Sequence, residues 1–353
     1  MSNPITPGPV RQFASDTWAG ACPEALAALA EANRGHADAY GDDAWTNKAA
    51  ALLRDFFETD CAAYFVTTGT AANSLALAAM CQSYHSVICH ADAHVQTDEC
   101  GAPEYAARGI KLVPVAGRDG KLEPEAVRRA AARRRDVHSH KPRVVSISQA
   151  TEVGTVYRAD ELSALSEAAR ALGLLLHVDG ARFANALATL DVPAAALTWQ
   201  VGVDVLCFGG TKNGLTVGDA IVFFNRALAE EFEYRRKQAG HLLAKMRFVA
   251  APWAALLASG AWLRNARHAN AMARRLEREL RAIPSVQVLY PVEANAVFVA
   301  MPRPWIDELH RRGWHFYTIA DGERLMCSWD TQEADIAAFV KDLRDLATAA
   351  GRA

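Results

Sequence analysis

Leu174-Leu175-Leu176-His177-Val178-Asp179-Gly180-Ala181-Arg182 decides the fold, together with Val203-Asp204-Val205-Leu206-Cys207-Phe208-Gly209-Gly210-Thr211-Lys212 further on. Each is a short apolar run with no in–out alternation, closed by glycine. Such runs mark strands buried on both faces, as in a mainly parallel sheet covered by helices. Five more candidates surround them: Ala62–Val66, Val87–Cys89, Ile110–Val115, Arg143–Ile147 and Ala220–Phe224. Helical patterns separate them. Asp160–Leu172 carries Leu162, Leu165, Ala168, Ala169 and Leu172 on one face, and Glu123–Arg134 is another such pattern. Strands alternating with helices give the α/β class, a large doubly wound, mainly parallel seven-stranded sheet.

The last third changes character. Ala251–Ile283 reads as one long helical stretch. Val286–Leu289, Ala296–Ala300, Trp314–Tyr317 and Arg324–Trp329 read as strands. Thr331–Ala349 reads as a closing amphipathic helix with Thr331 as N-cap. The expected division is a large domain over residues 1–252, with an N-terminal segment 1–35, and a smaller C-terminal α+β domain over residues 253–353.

Composition limits the partners. The chain has 353 residues, 51% hydrophobic and 22% charged, with a net charge of −2. That is an ordinary globular balance, and nothing in it favours nucleic acid or an acidic membrane surface. The Arg-rich stretch Arg128–Arg135 falls on a helical pattern with alanine spacers and reads as a solvated face. No apolar run reaches membrane-span length, and Met1–Gly20 shows no secretory pattern. The seven cysteines form no Cys-x-x-Cys pair. They read as buried free thiols in a reducing cytoplasm.

Chemistry gathers at the carboxyl ends of strands in open α/β sheets. Asp179 ends one strand, where it could simply cap the next helix. Lys212 follows the next strand, 33 residues on, between glycines that let the backbone pass close to a ligand. Alone it could be an exposed loop lysine, whereas in a dry pocket it becomes a nucleophile toward aldehydes. The two together suit pyridoxal 5'-phosphate. That cofactor needs a carboxylate at its ring nitrogen and a lysine at its aldehyde carbon. Thr67-Thr68-Gly69-Thr70-Ala71-Ala72-Asn73 follows strand Ala62–Val66 and opens an apolar helix, Ser74–Met80. Free N–H groups there, with hydroxyls beside them, suit a phosphate. His90 and His94 lie four apart, but the run follows a strand and lacks a third ligand, so no metal site is expected.

These residues, from about Phe13 to the C-terminus, resemble the threonine aldolases of the low-specificity type, in the β-eliminating lyase group of fold-type-I pyridoxal-phosphate enzymes. The resemblance rests on Ser15-Asp16-Thr17, Tyr40-Gly41-Asp42-Asp43 with Asn47, Thr68–Asn73, Ala93-His94, His177–Arg182 and Lys212. It implies retro-aldol cleavage of β-hydroxy-α-amino acids to glycine and an aldehyde. It also implies roles. Gly69 and Thr70 hold the phosphate, His94 stacks on the ring, Asp179 pairs with the ring nitrogen, and Lys212 holds the aldehyde carbon. Arg182 lies near the ring oxygen and substrate carboxylate. Arg324 grips that carboxylate, with Ser15 assisting, and both could instead be ordinary structural residues. Where such enzymes often carry Thr-His, this chain has Thr151-Glu152, a substrate-facing position. His94 is the first candidate for the base and Glu152 the second. The resemblance further implies a homo-oligomer, a dimer or dimer of dimers, with the site at the subunit interface. In it the cationic stretch Lys237–Arg247, through Lys245 or Arg247, would reach a neighbour's phosphate. The rival readings are a β-eliminating lyase, an aminotransferase, a Schiff-base aldolase using Lys212 without the cofactor, and a non-catalytic binder.

Overall fold

The computed structural model describes residues 11–350 except 135 and 320. The first ten residues of the N-terminal segment, and Arg135 of the Arg-rich stretch, lie outside the described residues.

Seven strands form the main sheet: β2 (Ala62–Val66), β3 (His85–His90), β4 (Lys111–Val115), β5 (Lys141–Ser148), β6 (Leu175–Gly180), β7 (Val205–Phe208) and β8 (Asp219–Phe223). A two-residue strand, β1 (Arg11–Gln12), precedes them. The order across the sheet is β2-β8-β7-β6-β5-β3-β4. Four of the pairings are parallel, and only β8 runs against its neighbours β2 and β7. This is the mainly parallel α/β sheet expected.

The continuous apolar runs have a simple cause. Successive side chains along a strand alternate between faces, and here both faces are covered. Leu206 and Phe208 of β7 pack into one core with Phe57, Phe183 and Trp253. Val205 and Cys207 pack into another with Leu77, Val87 and Phe223. Neither face calls for a polar residue. Burying one such Phe or Leu contributes about 1.5–3 kcal/mol.

The C-terminal part forms a four-stranded antiparallel sheet from β9 (Gln287–Val288), β10 (Ala296–Ala300), β12 (Tyr317–Ile319) and β13 (Gly322–Met326). Three expectations need correction. The stretch Trp314–Tyr317 is two strands. Phe316 turns into the small core beside His310 and Phe339, so β11 (Trp314–His315) separates from β12 and pairs with β1 instead. The helical stretch after residue 246 is two helices, Arg247–Ser259 and Ala261–Arg281, divided at Gly260 with φ 70°. Lastly, Thr331 does not cap the closing helix, which begins at Glu333. Its hydroxyl instead accepts the Ser328 N–H at 2.8 Å.

The small core gathers Phe13, Leu276, Val297, Leu309, Trp314 and Phe339. Phe13 directly follows β1, and its ring stacks on Trp314 at 5.7 Å. Six of the seven cysteines are buried and Cys100 is exposed; all seven are free thiols. Arg128, Arg129, Arg133 and Arg134 are exposed, as a solvated helix face requires. Among the described residues no helix is long and apolar enough to cross a membrane.

Candidate active site

β6 and β7 are parallel neighbours, with Asp179 opposite Cys207. Their carboxyl ends therefore open side by side. The turn after β7 is pressed onto the turn after β6, and the Gly209 N–H donates to the Gly180 carbonyl at 3.0 Å. A Cβ on Gly209 would lie 2.4 Å from the Ala181 oxygen, and one on Gly210 would lie 2.6 Å from the Trp253 ring. The glycines before Lys212 thus answer to close protein packing, which corrects the ligand-approach reason given from sequence. Asp219, at the start of β8, accepts the N–H groups of Gly210 and Thr211 at 2.7 and 3.2 Å. Asn213 donates to the Trp262 carbonyl at 2.7 Å. Lys212 is held between these two anchors in a short 3-10 turn, Thr211–Asn213. Burial lowers the pKa of its ammonium, and Arg182 adds to that, while Asp16, Asp179 and Asp219 oppose it. A depressed lysine is a better nucleophile at neutral pH.

The turn after β2 opens the helix Gly69–Met80 directly, earlier than the apolar pattern suggested. Thr68 is its N-cap and accepts the Ala71 N–H at 3.1 Å. The Thr68 carbonyl takes the Ala72 N–H. Among the described residues the Gly69 and Thr70 N–H groups have no acceptor, and they face outward at a positive helix end. The space at Gly69 is tight, since a Cβ would lie 3.0 Å from Asp219 Oδ2. His241, from the cationic stretch after residue 237, reaches this same turn, with Nδ1 2.9 Å from Thr67 Oγ1. Lys245 is exposed.

His94 begins a single helical turn, His94–Thr97. Its backbone N–H donates to Glu152 Oε1 at 2.9 Å, and that oxygen also accepts the Ser148 hydroxyl. Glu152 Oε2 is buried without a partner. Burial raises its carboxyl above the ordinary range, and Asp179 adds to this. His94 Nδ1 lies 2.8 Å from Glu99 Oε1. Asn73 donates to Glu99 Oε1 at 2.7 Å and to Asp179 Oδ2 at 2.8 Å. Asp179 Oδ1 accepts the Ala181 N–H at 3.0 Å. His90 stays apart, since its Nδ1 accepts the Asp92 N–H and its Nε2 faces the Gly117 carbonyl at 3.0 Å.

Arg182 is gripped by Asp16. Its Nε and Nη2 donate to the two carboxylate oxygens at 2.8 and 2.9 Å. Asn295 adds a hydrogen bond to Asp16 at 3.0 Å. Burial works to raise the Asp16 carboxyl, but Arg182, Lys212 and these hydrogen bonds outweigh it and hold it low. Ser15 turns its hydroxyl back onto Thr17, accepting that N–H at 3.2 Å. Arg324 donates to the Ala14 carbonyl at 3.1 Å, and its Nε is buried without a partner. Burial, with Arg182 nearby, pulls its pKa down to about 10.

Gly69, Thr70, His94, Glu152, Asp179, Arg182 and Lys212 all line one cleft of about 250 Å³. Ser15 and Arg324 are not among its lining residues; Ser15 is on the segment that carries Asp16, and Arg324, on β13, is tied to that segment through the Ala14 carbonyl. Sequence reasoning missed Asn73, Glu99, Ser148 and Asp219, and gave Asp16 no role. Asn73 and Asp16 stood within quoted motifs, and that was the available signal. Glu99 and Asp219 carried none.

Residues 12–303 match the Beta-eliminating lyase family, and the chain belongs to that family. Within it, the chain is similar to two proteins named low specificity L-threonine aldolase. It is 57% identical over 341 residues to that of a Pseudomonas species, covering 96% of this chain and 99% of the relative. It is 58% identical to that of Pseudomonas aeruginosa, covering 95% and 97%. The solved threonine aldolase of Leishmania major superposes with a TM-score of 0.90 at 32% identity, covering 95% of this chain and 99% of that one. The resemblance read from the motifs is thereby borne out.

Proposed function

We propose that this chain is a threonine aldolase that uses pyridoxal 5'-phosphate to cleave β-hydroxy-α-amino acids to glycine and an aldehyde. Threonine and allo-threonine are the first substrates to consider, and phenylserine a further one. The observation that carries this reading is one cleft lined by Lys212, Asp179, His94 and the free N–H groups of Gly69 and Thr70.

The donor set fits the cofactor. A helix start with two free N–H groups and the Thr70 hydroxyl suits its phosphate. Asp179 offers the carboxylate for the ring nitrogen and Lys212 the amine for the aldehyde carbon. His94 offers a flat ring to lie against the pyridine. Bound there, the cofactor supplies an electron sink for the pair released when the substrate Cα–Cβ bond breaks. The chain supplies the rest. Arg182 keeps Nη1 for the substrate carboxylate, because Asp16 holds its other two nitrogens. Arg324 has an unpartnered Nε for the same task, and Ser15 steadies the segment between them. His94 Nε2 takes the proton from the β-hydroxyl as the carbon bond breaks, and such a base contributes about 10²–10⁴-fold. Glu152, the second candidate for that base, holds the backbone of His94 and lines the same cleft. A proton returned to Cα completes glycine.

The residue range 1–252 is proposed as the cofactor domain and 253–353 as the smaller one. A homo-oligomer, a dimer or dimer of dimers, with the cleft at a subunit interface is also proposed. Supporting it, Tyr105 and Arg235 border a second open concavity that shares Thr68 and Thr70 with the cleft, and Tyr105 is 89% exposed. There Lys245 or Arg247 would approach a neighbour's phosphate. Buried free thiols support a cytoplasmic setting.

A cleavage assay over both enantiomers of threonine and allo-threonine, and over phenylserine, tests the reading. Glycine and aldehyde should form in equal amounts. Release of a 2-oxo acid and ammonia instead would make the protein a β-eliminating enzyme. Lys212→Ala should lose the visible absorption of the lysine-bound cofactor, and retention of that band would sink the assignment.

A further inference from the structure

Glu99 is a buried acid with no cation beside it, among the described residues, except the imidazole of His94. Its side chain has 0% exposure, and His94 Nδ1 stands 2.8 Å from Oε1. The same oxygen takes one hydrogen of the Asn73 amide, whose other partner is Asp179. An amide nitrogen has two hydrogens, so Asn73 bridges both carboxylates at once. The reverse amide orientation would set its oxygen against two acids. The acceptor and donor atoms of His94, Glu99 and Asp179 lie within 4.8 Å of one another. Without the amide between them, two negative charges would sit at that spacing.

Glu99 Oε1 already accepts a hydrogen from Asn73, and an oxygen in that role meets Nδ1 as an acceptor too. The nitrogen facing Glu99 must therefore carry the proton, which leaves the lone pair on Nε2. Nε2 points the other way, 3.5 Å from Asp98, whose side chain is 82% exposed. The backbone of His94 is separately fixed by Glu152. The residue is thus held at two points, its ring by Glu99 and its backbone by Glu152.

We propose that Glu99 is the positioning residue of His94: its carboxylate fixes the Nδ1–H form and turns Nε2 toward the substrate, while Asn73 locks that carboxylate beside Asp179. The proposal rests on the aldolase reading, in which His94 is the base. The charges facing His94 are Glu99 and Asp98 from its own segment, Glu152 from the loop after β5, Asp179 from β6 and Lys212 from the turn after β7. Of these, the hydrogen bond to Glu99 is the largest influence and raises the imidazole pKa, while burial and Lys212 lower it. Burial also pushes the Glu99 carboxyl up, and the hydrogens from His94 and Asn73 counter it.

Two measurements on the cofactor-loaded protein test this. The first is nitrogen-15 NMR of the histidine side chains, with His94→Asn used to assign the signal. The neutral form of His94 should carry its proton on Nδ1, and a proton found on Nε2 overturns the proposal without any variant of Glu99. The second is Glu99→Gln, which keeps an acceptor and removes the charge. The His94 titration and the acid limb of kcat/KM should both move down by about 1 pH unit. The kcat should fall about 10-fold or more, while the cofactor dissociation constant changes little. An unmoved titration and acid limb in that variant would overturn the proposal as well. If the wild type fails to cleave threonine, the aldolase reading fails, and the NMR tautomer still decides the role of Glu99.

Discussion

Arg182 illustrates how a site arginine can be half spent before any ligand arrives. Two of its nitrogens serve Asp16, which is 1% exposed. Removing one partner of a buried pair leaves the other charge uncompensated, at a cost of about 3–5 kcal/mol. Asp16→Ala should therefore lower the melting temperature and raise KM for threonine, because Arg182 loses the partner that aims it. A KM and melting point equal to wild type would show that Arg182 is held by something else. Lys212 and Asp179 were legible in the sequence because each ends an apolar run at a glycine turn. Asp16, Glu99 and Asp219 were not. Their partners lie far along the chain or across a turn, and no local pattern announces a carboxylate that exists to hold another side chain. Glu152 was visible as a departure from the family pattern. The upward shift of its carboxyl depends on burial, which only the fold supplies.

The strands set these residues in place, and the turn after β7 is the tightest of their supports. In Gly209→Ala the new methyl would meet the Ala181 backbone at 2.4–2.7 Å. Backbone cannot swing aside as a side-chain end can, so overpacking should cost about 1–3 kcal/mol. The turns carrying Asp179 and Lys212 would also move apart. Thermal unfolding and cofactor affinity should both weaken, and a variant with native values of each would show that the turn has slack. The main-sheet strands were readable to within a few residues, since burial on both faces writes itself as an uninterrupted apolar run. The small sheet was less readable. Its strands are short, and the break at Phe316 comes from one side chain turning into a core built from distant helices. The break at Gly260 similarly comes from a backbone angle, while the apolar pattern runs straight through it.

At the scale of the whole molecule, stability should depend on pH through His177, which sits at 0% exposure in the middle of the sheet. It touches Ser146 at 2.9 Å and Cys207 at 3.3 Å. Burial lowers its pKa to about 4 from an ordinary 6.5. Between those values the unfolded chain binds a proton that the folded one excludes. Stability from this group is thus complete above about pH 6.5 and falls as pH drops toward 4, by up to about 3 kcal/mol. Glu99 and Glu152, whose carboxyls are raised, act in the opposite direction in part of that range. The contribution of His177 is therefore the difference in slope between wild type and His177→Leu in denaturant melts from pH 7 to pH 5. Equal slopes would remove it from the account. The strand order has a consequence of another kind, in time. Ala62 faces Phe223 across β2 and β8, and Asp16 meets both Arg182 and Asn295. Long loops must close before those contacts repay the entropy lost, so folding of such a topology is slow. A chain emerging from a ribosome would present the Thr68–Thr70 turn early, with neither Asp179 nor Lys212 yet beside it. The last residue lining the cleft, Asp219, arrives only with β8, so capacity to hold the cofactor marks a chain whose main sheet has closed.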